Sequence, residues 1–156
     1  MNLFSYVKNA DSLVIRELTT WIEKIQEYVD LFYSGNFEVT RNTKFGDGIA
    51  KVREIRQRAI VEPLVFRGVR DINGILQAGA IITEEIGNIY QYEEGYGYLY
   101  LGTITNAPWN LIEIPQPEGR KGAATSLMEE IVRESIELEY NGIIKTQSLV
   151  RAKPFY

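Results

Sequence analysis

The sequence predicts a mixed α/β fold, one sheet with antiparallel and parallel parts flanked by helices. Two observations carry this. Tyr98–Thr105 and Ile143–Leu149 both read as strands, and the loop and helix between them are long enough for a parallel crossover. Upstream, Pro63–Arg67 and Ile75–Thr83 flank the turn signal Asp71-Ile72-Asn73-Gly74, the pattern of a β-hairpin. The predicted order is α, β, α, β, β, β, α, β.

The elements follow in order. Asp11-Ser12 can cap a helix, and Val14, Leu18, Trp21, Ile22, Ile25, Val29 and Phe32 then recur at three- and four-residue steps. This single apolar stripe ends at Ser34-Gly35-Asn36. Phe37–Arg41 reads as a short strand. The turn Lys44–Gly48 leads to a second helix near Ile49–Ile60. After the hairpin, Glu84–Gly97 reads either as a strand extension through Ile89–Tyr92 or as an ordered loop. A loop with prolines at 108, 115 and 117 follows the Tyr98–Thr105 strand. The helix Lys121–Tyr140 is only roughly periodic in Ala124, Leu127, Met128, Ile131, Val132, Ser135, Ile136 and Leu138. Asn141-Gly142 closes it. No repeat, linker or low-complexity segment interrupts the 156 residues, which read as one domain.

Composition narrows the chemistry. The chain has no histidine and no cysteine. Ser-His-Asp and Cys-His catalysis, disulfides, and zinc bound by imidazole or thiolate are therefore excluded. Any proton chemistry must rest on carboxylates, tyrosine, lysine, backbone groups or water. The N-terminus lacks the features of a signal peptide, and no apolar run approaches the ~18 residues of a spanning helix, so a cytoplasmic protein without a membrane partner is expected. Residues 1–78 carry 11 basic and 10 acidic side chains, residues 79–156 carry 6 and 11, and the net charge is −4. Neither half has the positive field of a nucleic-acid binder. Lys51, Arg53, Arg56 and Arg58 read as a solvated helix face.

The segment Glu118-Gly119-Arg120-Lys121-Gly122-Ala123-Ala124-Thr125-Ser126 lies where a strand's loop enters a helix. Glycine and alanine permit close backbone approach. The first N–H groups of a helix lack internal partners, and with the helix dipole they favour an anion such as a pyrophosphate. Arg120 and Lys121 add positive charge there. The competing reading is a plain helix start whose small residues pack on the sheet. Neither a Walker loop nor a G-x-G-x-x-G dinucleotide fingerprint is present.

In context, Gly122-Ala123-Ala124 resembles the second half of the [Q/R]-x-x-G-x-[G/A] loop of the GCN5-related N-acetyltransferases. The strand and loop Leu101–Asn110 resemble the segment before that loop in a bacterial branch. Ser135-Ile136-Glu137, Gly142-Ile143-Ile144, Ser148-Leu149 and Ala152…Phe155-Tyr156 resemble the region after it. The resemblance covers about residues 63–156 and implies a central mixed sheet flanked by helices, to which the long N-terminal helix is extra. Gly119 stands where the family has Gln or Arg, with Arg120 one position late, and Leu149 replaces a common asparagine. The chain stops at Tyr156, before the family's closing helix and two strands. Its last strand is then expected to be a sheet edge: either another chain covers it, as a second copy in a homodimer would, or the sequence is truncated here, or the natural protein is short.

The resemblance implies acetyl transfer from acetyl-CoA to a primary amine of a small molecule or peptide, by direct attack and without a metal. The alternative is a catalytically degenerate module that binds acyl-CoA or a protein partner. In the first reading a bulged Leu101–Thr105 strand hydrogen-bonds the pantetheine arm, with Ile104 and Thr105 at the thioester, and a backbone N–H near Ile104 polarises the carbonyl. Gly119, Arg120, Lys121, Gly122, Ala123, Ala124 and Thr125 hold the pyrophosphate. Tyr156 matches the family's general acid. Glu84, Glu85, Glu93 and Glu94 are carboxylates near the expected cleft, and Tyr98 and Tyr100 share one strand face.

Overall fold

The computed structural model describes residues 3–87 and 96–146. Five strands form one sheet in the order β1-β2-β3-β4-β5: Ser5–Lys8, Phe66–Arg70, Leu76–Gly87, Tyr96–Asn106 and Ile144–Thr146. The first three pairings are antiparallel and β4–β5 is parallel. Helices α1 (Ser12–Phe32), α2 (Lys44–Val61) and α3 (Ala123–Glu137) flank it. The mixed sheet expected from the hairpin and the crossover is present.

Each helix start has a local cause. Asp11 accepts from the Val14 N–H at 2.9 Å, and Thr43 accepts from Gly46 at 2.9 Å. Caps of this kind stabilise by ~1 kcal/mol each. The α1 stripe buries Val14, Leu18, Trp21, Ile25, Tyr28 and Val29, while Phe32 stays exposed. α1 and α2 cover one sheet face through Phe45, Ile49, Val52, Ile55, Phe66 and Ile81. α3 covers the other, packing Ala123, Ala124, Leu127 and Ile131 on Val69, Ala78, Ala80, Ile82, Leu99 and Leu101.

Several expectations need correction. Phe37–Thr40 is a 3-10 turn, not a strand: the Asn36 side chain accepts from Glu38 N–H and the Thr40 hydroxyl donates to the Phe37 carbonyl, so local bonds satisfy the chain. Ser5–Lys8 forms a strand that its short length concealed, paired with Arg67–Arg70. Pro63–Val65 is a 3-10 turn, and the strand begins at Phe66. Helix α2 starts at Lys44, because Thr43 caps it ahead of the two glycines. The irregular periodicity of α3 has a specific source. Glu134 occupies a core-facing position at 5% exposure, bound by both Arg67 guanidinium arms (2.7 and 2.8 Å) and by the Tyr6 hydroxyl (2.5 Å). Burial works to raise its pKa, but the hydrogen bonds from Arg67 and Tyr6 prevail and hold it below the usual carboxylate value.

Candidate functional site

The site is built where β4 ends and α3 begins. Within β4, Thr103 pairs with Ile81 and Leu101 with Ile82, so Gly102 is one extra residue on β4. This is the bulge expected in Leu101–Thr105. Gly102 is exposed although Leu101, Thr103, Ile104 and Thr105 around it are buried. A bulge leaves one residue outside the ladder and turns the strand away from its neighbour. On the other side of β4, the described parallel pairing joins Leu99, Tyr100 and Leu101 to Ile144, Lys145 and Thr146. Ile104 lies two residues past the bulge, opposite Ala80, with its side chain in the α3-side core. Thr105 is buried on the α2 side, its hydroxyl donating to the Asn106 carbonyl.

Asn106, the last residue of β4, ties the strand to the helix by accepting from the Ala124 N–H at 3.0 Å. Gly122 is the N-cap of α3, at φ 84° and ψ 9°, and has no side chain to cap the helix itself, so the side-chain bond to the helix start comes from Asn106. That conformation costs an L-residue ~1–2 kcal/mol, which is why glycine stands there. A Cβ on Gly122 would meet nothing within 4 Å, so open space adjoins the helix start. Ala123 and Ala124 are buried on the sheet, while Arg120, Lys121, Gly122 and Thr125 are exposed and Gly119 is half-buried. Small buried residues and an exposed donor-bearing turn thus occur together. The small residues pack on the sheet, and the other side of the same backbone is exposed.

The approach to this turn is held by side chains that sequence reasoning missed. Val69 pairs with Ala78 and Arg70 with Leu76, which makes Gln77 an extra residue on β3. Its carboxamide is fully buried and uses four bonds. Nε2 donates to Asp71 Oδ2 (3.0 Å) and to the Glu118 carbonyl (2.9 Å), and Oε1 accepts from Trp109 Nε1 (2.9 Å) and Asn110 Nδ2 (2.8 Å). Asn110 Oδ1 accepts from the Arg120 N–H at 2.8 Å. Arg120 Nε lies 3.6 Å from the buried Asp71 carboxylate. Lys24 of α1 reaches the Glu118 carboxylate at 3.4 Å, and Trp21 meets Trp109 edge-on at 6.2 Å. A lone glutamine amid Leu76, Ala78 and Ala80 was the available signal.

Other expected participants are spread apart. Glu84 accepts from the Tyr140 hydroxyl at 2.9 Å, and Glu85 accepts from Thr83. They stand opposite Leu99 and Tyr98. At ~3.3 Å per residue they lie roughly 15 Å along the ladder from Ile104, too far for a one-water relay to a group there. Tyr98 and Tyr100 are half-buried, with Lys145 Nζ 4.5 Å from the Tyr98 ring centroid. Lys51, Arg53, Arg56 and Arg58 lie on α2, where Val52, Ile55 and Ala59 face the core. Glu93, Glu94 and Tyr156 lie outside the described residues. Among the described residues no helix is long and apolar enough to cross a membrane, and no cluster of carboxylates could hold a metal ion.

No protein-family model matches the chain, and no curated protein matches it in sequence. Solved structures do. A tetramutant of the BH1408 protein from Bacillus halodurans is 14% identical, with 97% of this chain and 89% of that chain covered and a TM-score of 0.55. A structure described as a predicted acetyltransferase with acetyl-CoA, from Clostridium acetobutylicum, is 17% identical over 98% of this chain and 86% of the other, TM-score 0.47. An aminoglycoside acetyltransferase, meta-AAC0020, from an uncultured soil metagenomic sample is 15% identical over 99% and 86%, TM-score 0.45. Acetyltransferases are therefore among the structural neighbours of this chain. What the chain shares with BH1408 is the fold, along nearly its whole length.

Proposed function

We propose that this chain is an acetyl-CoA-dependent N-acyltransferase acting on a primary amine. The observation that carries the reading is a pairing of two features on one strand. Gly102 interrupts the β4 ladder as an exposed bulge, and a few residues later the same strand is tied through Asn106 to an open, glycine-started helix N-terminus. The first feature suits an extended amide-bearing arm, which can hydrogen-bond strand backbone as an added strand does. The second suits a pyrophosphate. Coenzyme A carries both, separated along its length. The sequence resemblance at Gly122-Ala123-Ala124 and the acetyltransferases among the structural neighbours point the same way.

In this reading Gly119, Arg120, Lys121, Gly122, Ala123, Ala124 and Thr125 form the pyrophosphate cradle, and Ile104 and Thr105 flank the thioester. The amine lone pair attacks the thioester carbonyl carbon. The C–N bond forms, the C–S bond breaks, and the amine gives up a proton to solvent through water. The departing thiolate takes a proton, in this reading from the Tyr156 phenol. A backbone N–H near Ile104 stabilises the oxyanion, a contribution of up to ~3 kcal/mol for one well-aimed donor. None of these roles needs histidine or cysteine.

Two measurements test the reading in sequence. Coenzyme A and acetyl-CoA should each raise the melting temperature, because a ligand of the native state stabilises it. An unmoved transition at millimolar ligand rejects coenzyme A binding. Thiol release from acetyl-CoA should then appear with at least one member of a panel of small amines and lysine-bearing peptides. Coenzyme A binding with no release across that panel would instead make the chain a degenerate acyl-CoA-binding module.

A further inference from the structure

Gln77 is the most completely bonded buried polar side chain of the described residues, and the proposed chemistry makes no direct use of it. Its position is unusual. A fully buried carboxamide stands in an apolar strand, as the extra residue of a bulge that redirects it out of the alternating pattern. All four of its hydrogen-bonding sites are engaged, so moving it would leave several buried groups unpaired. Three of the four partners belong to the segment between β4 and α3: Trp109 Nε1, Asn110 Nδ2 and the Glu118 carbonyl. The Gln77 carbonyl also accepts from Ala107 N–H at 2.9 Å. The loop is therefore gripped as it leaves β4 and again as it approaches the helix.

The grip is relayed onward. Asn110 donates to Gln77 with its amide nitrogen and accepts the Arg120 N–H with its amide oxygen. Asp71 accepts from Gln77 and lies beside Arg120, while its other oxygen accepts from Asn73 and Ile75 and so fixes the hairpin turn. A rigid hairpin thus holds the backbone of 118–120, immediately before the open helix start at Gly122.

We propose that Gln77, acting through Asn110, is a positioning residue that sets the Glu118–Arg120 backbone for binding a phosphate-bearing ligand. This rests on the coenzyme A reading. The test compares two ligands by calorimetry: coenzyme A, and pantetheine, which lacks the phosphates. Asn110→Ala removes the relay at a half-buried site, and Gln77→Met removes the hub while keeping its length. Asn110→Ala should weaken coenzyme A about tenfold, the equivalent of one hydrogen bond, and leave pantetheine affinity unchanged. It should also speed hydrogen exchange at the Arg120 amide. Gln77→Met, where folded, should do the same. Equal weakening of both ligands means general damage and overturns the proposal. So does unchanged coenzyme A affinity, or an Arg120 amide that exchanges at the wild-type rate in Asn110→Ala. A wild-type chain that binds neither ligand overturns the coenzyme A reading itself, and the proposal falls with it.

Discussion

Replacing Gly122 by glutamate puts bulk and negative charge where the pyrophosphate is proposed to sit. Two costs separate cleanly. The backbone cost arises because Gly122 holds φ 84°, in the left-handed region. An L-residue there loses ~1–2 kcal/mol of stability. No steric cost adds to it, since nothing lies within 4 Å of the new Cβ. For a chain of this length the melting temperature should fall by roughly 2–8 °C. The electrostatic cost concerns the ligand alone. A carboxylate ~7 Å from a phosphate charge, at an effective dielectric of ~40, costs about 1.2 kcal/mol per unit charge. Two phosphate charges bring this to about 2.4 kcal/mol, or roughly fifty-fold in Kd.

Gly122→Ala and Gly122→Asn serve as references. Alanine carries the backbone cost without charge, and asparagine tolerates the left-handed region better. Titration of coenzyme A by calorimetry should rank affinities as wild type, then asparagine and alanine, then glutamate. The glutamate penalty should shrink as salt rises, because screening acts within ~10 Å at 0.1 M. The alanine penalty should not. A folded Gly122→Glu protein that binds coenzyme A within twofold of wild type refutes the placement of the phosphate site at this helix start.

Further outcomes follow from the buried groups. Glu134→Gln strips the half-buried Arg67 of its carboxylate, and urea unfolding should show a loss of up to ~3 kcal/mol, the low end for breaking a buried pair. Because the folded pKa of Glu134 is depressed, its contribution is fully present above the ordinary value of 4.5 and is lost as pH falls through the folded value. The acid limb of wild-type stability should therefore be steeper than that of Glu134→Gln, and parallel limbs would contradict the assignment. Tyr6 has the opposite sign: burial, then the bond to Glu134, raise its phenol above 10.0, so its contribution holds below pH 10 and is lost as pH rises beyond it. Tyr6→Phe should flatten the alkaline limb of a melting-temperature profile. Gly46→Ala would place a Cβ 2.1 Å from the Thr40 carbonyl oxygen, and overpacking against backbone should cost ~2–3 kcal/mol in urea unfolding.

The parts of this molecule that were legible in the sequence are those governed by short-range rules. The α1 stripe, the Asp71–Gly74 turn and the small-residue start of α3 each follow from periodicity, turn chemistry or helix-end electrostatics, whereas the β4 bulge was expected only from the family resemblance. The errors fall where local hydrogen bonds or distant partners decide. Phe37–Thr40 has strand composition, but Asn36 and Thr40 bond their own backbone and close a turn. Ser5–Lys8 is a strand only because β2 lies beside it. The sequence showed only a rough periodicity in α3, and the partner that explains Glu134 there, Arg67, lies 67 residues away in sequence. Gln77 belongs to this second group. Its bonds reach 32 residues to Trp109, 33 to Asn110 and 41 to Glu118, and no window along the chain contains them together.

The two bulges explain one another. Were Gly102 paired in regular alternation instead of bulged, Thr103 and Thr105 would fall on the α3 face, where the buried side chains packed on α3 are apolar. One extra residue restores Ile104 to that face and leaves an exposed backbone segment beside it. A ladder without Gln77 would likewise lack the side chain that takes hold of the chain leaving β4. Both irregularities occur near the same end of the β3–β4 pair, within a few residues of Asn106. A sheet that needed only to be stable would have no use for either, since each interrupts the ladder. Together they produce an exposed bulge and a rigidly held helix start at opposite ends of one short stretch, residues 102–122. That spacing, more than any single residue in it, is what suits an extended ligand with amides at one end and phosphates at the other.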